Sequence, residues 1–467
     1  MTASPAGVGS GGWRVRAPES IALTTATRTL TVGDAETLAG SAAMRLTKAM
    51  PDGGCLLLPS ADPAAFLIGL MACARSGITA VPWREGLQPL DLITDVVRPD
   101  GILRLGDETV IEPVGTPPLK DPRVGGLIMM TSGSTGAPKG VALDLGQVIL
   151  NGVAAGAAME VQRCRGWAID IDMALMSALC HMLMAWQFDL PLHHLGGRAD
   201  HATRELFRGG GIGFGGSPIQ LVRLRGRVDA DGGPEMMVSS GDFLSPVMID
   251  DILAAFPAAQ VHKLYGLTEL AGRFCCMPHD RLMADKAAVG WPLAGFEGRI
   301  TDAAPGEIGE VEARGPLLMA GYYRAGGIFS PRAAGWFRTG DLGRQGPDGA
   351  ITLAGRADDV VKVGGEKVDR QSIEQALSDL LVRQEYCVLA VDHPLVGLCP
   401  ALFIGASPDG VPPPGWSAIV AHLRARLPAR FTPGLTYRLE KPLPRLANGK
   451  IDREALKMNH ATFTRLR

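Results

Sequence analysis

The sequence lacks the features that would place it in several large classes of protein. Its eight cysteines are scattered, with no Cys-x-x-Cys pair and no Cys/His spacing of a zinc site. That pattern argues against a disulfide framework or a zinc module and favours buried free thiols in a reducing compartment. Charge of one sign is not in excess either. With 46 Lys and Arg against 48 Asp and Glu, the net charge is −2, which leaves no footprint for nucleic acid or a membrane surface. No apolar run is long enough to span a bilayer: Met173–Trp186 contains His181 and reads as a buried helix. The opening Met1-Thr2-Ala3-Ser4-Pro5-Ala6-Gly7 has neither a basic region nor an apolar stretch, so no signal peptide and a cytoplasmic location are expected. Residues 1–18 are rich in Gly, Ala and Ser and are expected to be poorly ordered. Lysine is scarce, at ten of the 46 cationic residues, which makes Lys139, Lys362 and Lys450 conspicuous inside their motifs.

What is present is enough apolar sequence for two or three folding units: 467 residues, 46% hydrophobic and 20% charged. Periodicity places a helix around Ala35–Met50, a strand at Cys55–Pro59, a helix at Ala64–Ser76 and a strand at Ile78–Pro82. Short apolar strands alternating with helices predict parallel α/β layers. Gln147–Met159, His201–Arg208 and Ser217–Arg225 read as further helices, and Gly309–Tyr323 as a small β segment. Near the end, helices Ser372–Val382 and Ala418–Leu427 flank strands Tyr386–Val391 and Ala401–Ile404.

The stretch Met129–Val141 carries the densest chemistry. Leu127–Met130 reads as a buried strand that runs into Thr131, Ser132, Gly133, Ser134, Thr135, Gly136, Ala137 and Pro138, ending on Lys139. Glycines let backbone N–H groups turn inward as an anion-binding nest, the hydroxyls add donors, and Lys139 adds a full charge. The loop suits a triphosphate. It is not a Walker loop, because Lys139 is followed by Gly140 and β-prone residues rather than by a helix. A second glycine cluster, Gly211-x-Gly213-x-x-Gly216, matches a dinucleotide fingerprint formally. The residues before it read as helix where the fingerprint needs a strand.

The loop closely resembles the phosphate loop of the adenylate-forming superfamily: acyl- and aryl-CoA synthetases, adenylation domains of peptide synthetases, and luciferases. Further motifs follow in family order. In Tyr265-Gly266-Leu267-Thr268-Glu269, Tyr265 would stack on adenine, Thr268 would bind the α-phosphate and Glu269 would hold Mg²⁺ with phosphate oxygens. Gly241 and Asp242 lie where the family contacts adenine, Asp242 replacing a smaller residue. Asp341, in Arg338-Thr339-Gly340-Asp341, corresponds to the carboxylate that accepts the ribose hydroxyls, and Arg356 to a nucleotide-binding arginine. His181 matches a residue that walls the carboxylate pocket; a core histidine is the other reading.

The resemblance implies an α/β fold with a large domain at residues 1–357 and a small, mobile α+β domain at 358–467 hinged at Asp358. Lys450, on an Asn448-Gly449 turn, would bridge carboxylate and α-phosphate during adenylation. Gly364 and Gly365 would then let a pantetheine arm approach. The implied activity is ATP-dependent activation of a carboxylic acid to an acyl-adenylate, with CoA, a separate carrier protein or an amine as acceptor. An aryl or acyl acid is expected over an amino acid, since the nearest candidate for an amine-binding aspartate, Asp189, lies too far past the loop. Neither a nucleic-acid nor a membrane partner is expected. A degenerate nucleotide-binding scaffold would have lost Lys139, Glu269, Asp341 or Lys450, and all four are present. A dehydrogenase would rest on the Gly211 cluster alone.

Overall fold

The computed structural model describes residues 12–106, 108–115, 126–132, 138–229, 232–304, 306–357, 360–363, 366–393, 397–407, 410–445 and 451–466. The chain divides into two compact units. One comprises Met1–Leu244, Met248–Gly298 and Ala313–Phe337; the other Ser245–Val247, Arg299–Glu312 and Arg338–Arg467. The boundary expected at residue 358 falls within the second.

Two large sheets build the first unit. The nine-stranded sheet runs, in spatial order, Trp291–Pro292, Cys275–Met277, Gln260–Tyr265, Met236–Ser240, Ile212–Gly216, Gly166–Ile169, Leu192–His194, Ile21–Thr24 and Thr29–Thr31. Its six central strands are parallel. From Gly166–Ile169 the chain first moves to Leu192–His194 on one side and then to Ile212–Gly216 on the other. Such a reversal opens a crevice at the carboxyl ends of the strands.

The eight-stranded sheet runs Ile328–Pro331, Gly321–Arg324, Pro138–Leu143, Leu127–Ser132, Ile78–Trp83, Gly54–Pro59, Gly101–Leu105 and Thr109–Glu112. Here Leu127, Met129, Val141 and Leu143 join the main core while Ile128 and Ala142 face a smaller cluster on the opposite side. That is the alternation of a sheet buried on both faces. Helices Val32–Ala49 and Pro63–Ser76 pack on one another, as do Leu145–Met159 and Met176–Gln187. Local chemistry sets their ends. Thr31 and Asp34 form a reciprocal cap, Asp62 caps Pro63–Ser76, and Gly77 ends that helix in the left-handed region at φ +70°.

In the second unit, helices Arg370–Leu377 and Trp416–Arg424 cover one face of a sheet ordered Tyr386–His393, Gly397–Ile404, Leu435–Arg438 and Thr464–Arg465. Leu456, from helix Arg453–Asn459, packs on the other face. A separate four-stranded sheet contains Phe337–Gln345 paired with Ile351–Arg356. The mixed α/β architecture is the one expected, and all eight cysteines are buried free thiols. Among the described residues no helix is long and apolar enough to cross a membrane.

Two expectations need correction, and the glycine cluster discounted as a fingerprint gains a structural reason. Gly309–Tyr323 is not one β segment: Gly309–Arg314 belongs to the four-stranded sheet, whereas Gly321–Arg324 pairs with Pro138–Leu143 in the eight-stranded one. The start is not wholly disordered, because Trp13 is buried edge-on against Trp186 and Arg16 pairs with Asp189 at 2.5 Å. Two indole rings and an ion pair outweigh the Gly/Ala composition around them. Gly213 and Gly216 lie in a strand, not a phosphate turn. A Cβ on Gly213 would sit 2.3 Å from the Trp167 ring, and one on Gly215 would sit 2.5 Å from the His181 ring. Flat rings lying on the sheet account for the glycines.

Candidate active site

Strands Leu127–Ser132 and Pro138–Leu143 pair antiparallel, with Thr131 opposite Lys139, so the flanks of the phosphate-loop candidate are the strands expected on either side of it. Gly133, Ser134, Thr135 and Gly136 lie outside the described residues, as does the side chain of Ser132. The Thr131 hydroxyl donates to the Lys139 carbonyl at 3.4 Å.

Lys139 points at Glu269. Its Nζ lies 2.9 Å from Oε1 of that carboxylate, with both side chains largely buried. The Tyr322 hydroxyl donates to the same oxygen at 3.0 Å, and the ammonium sits 4.1 Å from the Tyr322 ring centroid. Burial and the neighbouring Glu269 push the Tyr322 phenol well above its ordinary range, so it stays a donor. The Met319 N–H holds the Glu269 carbonyl at 2.9 Å. Tyr322 was not singled out from the sequence. The available signal was a tyrosine doublet, Tyr322-Tyr323, in a chain with five tyrosines.

Tyr265 ends the strand Gln260–Tyr265, half-buried and edge-on to Phe274 at 5.9 Å. The next residue must be glycine: a Cβ on Gly266 would lie 2.3 Å from the Gly272 carbonyl. Thr268 and Glu269 then occupy a short 3₁₀ turn, Thr268–Leu270. Gly241 follows the strand Met236–Ser240 with φ +89° and open space around its Cα; Asp242 is exposed and accepts from the Phe243 N–H at 2.8 Å.

His181 is buried, its ring stacked on Trp167 at 5.6 Å. Burial, then the charge of Arg273, hold its pKa well below the usual histidine value, so it is neutral. Arg273 Nη2 lies 3.4 Å from His181 Nε2, and the Ser177 and Ser240 hydroxyls are 2.9 Å apart beside it. Arg273 was also missed. It is the lone charged residue between Glu269 and Asp280 in an otherwise apolar run. Asp189 is committed to Arg16.

In the second unit, Asp341 and Arg356 are cross-strand partners, with Nη1 2.9 Å from Oδ1. The Asp341 N–H is held by the Thr339 hydroxyl at 3.0 Å, and that hydroxyl donates to the Val311 carbonyl at 2.8 Å. The carboxylate is thus buried and oriented. Strands Val360–Val363 and Glu366–Asp369 pair antiparallel. Asp358, Gly364, Gly365 and Lys450 lie outside the described residues.

Among the described residues no cluster of three His, Cys, Asp or Glu side chains is placed to hold a metal. Mg²⁺ in nucleotide sites commonly takes one carboxylate and completes its shell with phosphates and water. Glu269 fits that mode: Oε1 carries Lys139 and Tyr322, while Oε2 has no partner among the described residues.

The AMP-binding enzyme family model matches residues 108–323, the span that contains Lys139, Tyr265, Glu269 and Tyr322. The chain carries an AMP-binding enzyme domain over that span. It is 27% identical over 344 residues to the 2-succinylbenzoate–CoA ligase of Geobacillus kaustophilus, covering 71% of this chain and 68% of that protein. It is 28% identical over 377 residues to the sulfoacetate–CoA ligase of Cupriavidus necator, covering 74% and 69%. Its fold matches the o-succinylbenzoate CoA synthetase of Bacillus subtilis, solved with an acyl-adenylate intermediate, at a TM-score of 0.79 and 19% identity over 94% of this chain and 96% of that one. The position of Gly213 and Gly216 within a strand removes the phosphate turn on which a dehydrogenase reading would rest.

Proposed function

We propose that the protein activates a carboxylic acid with ATP and then passes the acyl group to the thiol of CoA. In the first step a carboxylate oxygen forms a bond to the α-phosphorus while the bond to the β-phosphate oxygen breaks and pyrophosphate leaves. In the second, a thiolate attacks the acyl carbonyl and AMP departs. The observation that carries this reading is the meeting of Lys139, Glu269 and Tyr322, brought together from distant parts of the chain. It puts a cation beside a carboxylate that has one oxygen to spare.

Lys139 and the loop from Thr131 to Gly136 bind the outgoing phosphates. Tyr265, Gly241 and Asp242 border the adenine, Thr268 donates to the α-phosphate, and Asp341, oriented by Thr339 and braced by Arg356, accepts from the ribose. Glu269 would hold Mg²⁺ together with phosphate oxygens, and the ion would supply positive charge to offset that of the leaving group. Lys450 meets the negative charge of the crowded phosphorus, and the domain from residue 358 turns about Asp358 so that Gly364 and Gly365 replace it. The cysteines, all buried and reduced, agree with a cytoplasmic enzyme.

The test is pyrophosphate release across aryl, aliphatic and amino acids, with mass spectrometry for the CoA thioester. Acid-dependent release with thioester formation is expected. Release without thioester would shift the acceptor to a carrier protein or an amine. No release with any acid would overturn the reading.

A further inference from the structure

Three arginines are buried among the described residues: Arg16, Arg273 and Arg370. Arg16 pairs with Asp189 at 2.5 Å and Arg370 with Glu374 at 3.5 Å. Arg273 has no such partner. Its donors reach only neutral acceptors, all at long range: the Ser177 carbonyl and hydroxyl at 3.3 Å, His181 Nε2 at 3.4 Å and the Gly272 carbonyl at 3.5 Å. No described carboxylate pairs with it, and burial lowers its pKa with the Cys180 thiol alone, and no carboxylate, opposing the shift. A guanidinium stays charged in such a place, and a buried charge without a counter-charge is costly.

The chain is shaped to put it there. Ala271 and Gly272 take left-handed conformations, φ +53° and +99°, which turn the backbone inward. Gly272 has no alternative, since a Cβ would lie 2.4 Å from Cys180 Sγ. The Asn151 amide fixes the Arg273 carbonyl at 2.6 Å. A Cβ on Gly266, the glycine of the Tyr-Gly-Leu-Thr-Glu run, would lie 2.7 Å from Arg273 Cα, so this backbone abuts the motif assigned to the α-phosphate.

The neighbours are matched to an anion. Helix Met176–Gln187 begins beside Arg273 at Ser177, and its first turn has no side-chain cap. Its N–H groups and dipole favour negative charge. The Ser177 hydroxyl adjoins the guanidinium at 3.3 Å and is joined to the Ser240 hydroxyl at 2.9 Å. His181 is neutral, so no competing charge comes from the helix.

Resting on the acid-activating reading above, we propose that Arg273 is the counter-charge for a second anionic group on the substrate. The acids activated are then those bearing a carboxylate or sulfonate at the end remote from the reacting carboxyl.

The experiment measures pyrophosphate release with matched acids: glutarate and sulfobutyrate against pentanoate, and phthalate against benzoate. The enzymes are wild type, Arg273→Met and Arg273→Lys. Thermal shift is recorded with each acid alone. Wild type is expected to prefer the dianionic acids by about 100-fold or more in kcat/KM, because the neutral tail leaves the guanidinium unpaired. Arg273→Met should lose that preference, chiefly through a raised KM for glutarate, sulfobutyrate and phthalate; Arg273→Lys should recover part of it. The dianionic acids should raise the Tm of wild type and not of Arg273→Met.

Equal loss on every acid in Arg273→Met, or a wild-type preference for neutral tails, would overturn the proposal and leave acid activation standing. Absence of turnover with all acids, together with an Arg273-dependent thermal shift, would overturn acid activation and leave the anion site standing. An absent shift with glutarate, sulfobutyrate and phthalate would overturn the site itself, whether or not Arg273→Met folds.

Discussion

The Lys139 ammonium and the Glu269 carboxylate neutralise one another at 2.9 Å, across 130 residues of sequence, with the Tyr322 hydroxyl on the same oxygen. On the proposed mechanism a polyphosphate would draw Lys139 away and leave Glu269 free to hold Mg²⁺. The pair is therefore both a structural tie and a pre-set charge exchange.

Lys139→Gln removes the cation and leaves a buried carboxylate with only Tyr322. Pyrophosphate release should fall about 100-fold or more. Stability in urea should fall by about 2–3 kcal/mol, below the full cost of a broken buried pair because both groups retain some solvent contact. Lys139→Gln combined with Glu269→Gln should regain part of that stability and none of the activity. Additive losses would mean that the two side chains are not coupled.

Lys450→Ala separates the half-reactions. Adenylate formation from acid and ATP should be abolished, while thioester formation from pre-made acyl-adenylate continues at close to the wild-type rate. Equal loss in both would remove the hinge at Asp358 from the mechanism.

Gly215→Ala places a methyl group where His181 lies, at 2.5 Å. The ring must tilt off the sheet and away from Arg273. Overpacking of this kind costs about 1–3 kcal/mol, and the KM for the acid should rise while the KM for ATP holds. A change confined to ATP would place His181 outside the acid pocket.

Acid should weaken the fold before it reaches the carboxylates. Burial drops His193 and His262 to about 4 and pushes His181 well below its ordinary value. For His262, His279 and Arg163 add to the drop and Asp280 opposes it. The unfolded chain takes up protons near pH 6.5 while the folded chain resists, so between pH 6.5 and 4 the unfolded state holds more. Stability then rises with pH across that window and is lost as pH falls through it, by up to about 1.4 kcal/mol per unit for each histidine. His262, whose ring nitrogens both lack partners, gives the test. His262→Leu should shallow the slope between urea melts at several pH values; parallel slopes would exclude it.

Local chemistry was legible in the sequence. Helix Pro63–Ser76 was read to within one residue because Asp62 and Gly77 mark its ends, and Leu145–Met159 to within two. Lys139 and Glu269 were chosen from separate motifs, and the fold brings them into contact. Tyr322 was hidden because its place depends on Gly321–Arg324 pairing with a strand far upstream, which no local pattern encodes. The Gly211 cluster could be discounted as a fingerprint from the sequence, but that Gly213 and Gly215 are clearances for Trp167 and His181 is visible only in the fold. Arg273 was overlooked because its significance is the lack of a counter-ion, a property of three-dimensional surroundings. The roles assigned to Ser134, Asp358, Gly364, Gly365 and Lys450 lie outside the described residues.

The pairing of Gly321–Arg324 onto Pro138–Leu143 has a consequence for biosynthesis. Until the ribosome has made residue 324, the return arm of the cradle is a bare sheet margin, able to recruit a strand from another nascent chain. A fragment truncated before Gly321 should precipitate where one extended past Pro331 stays dispersed.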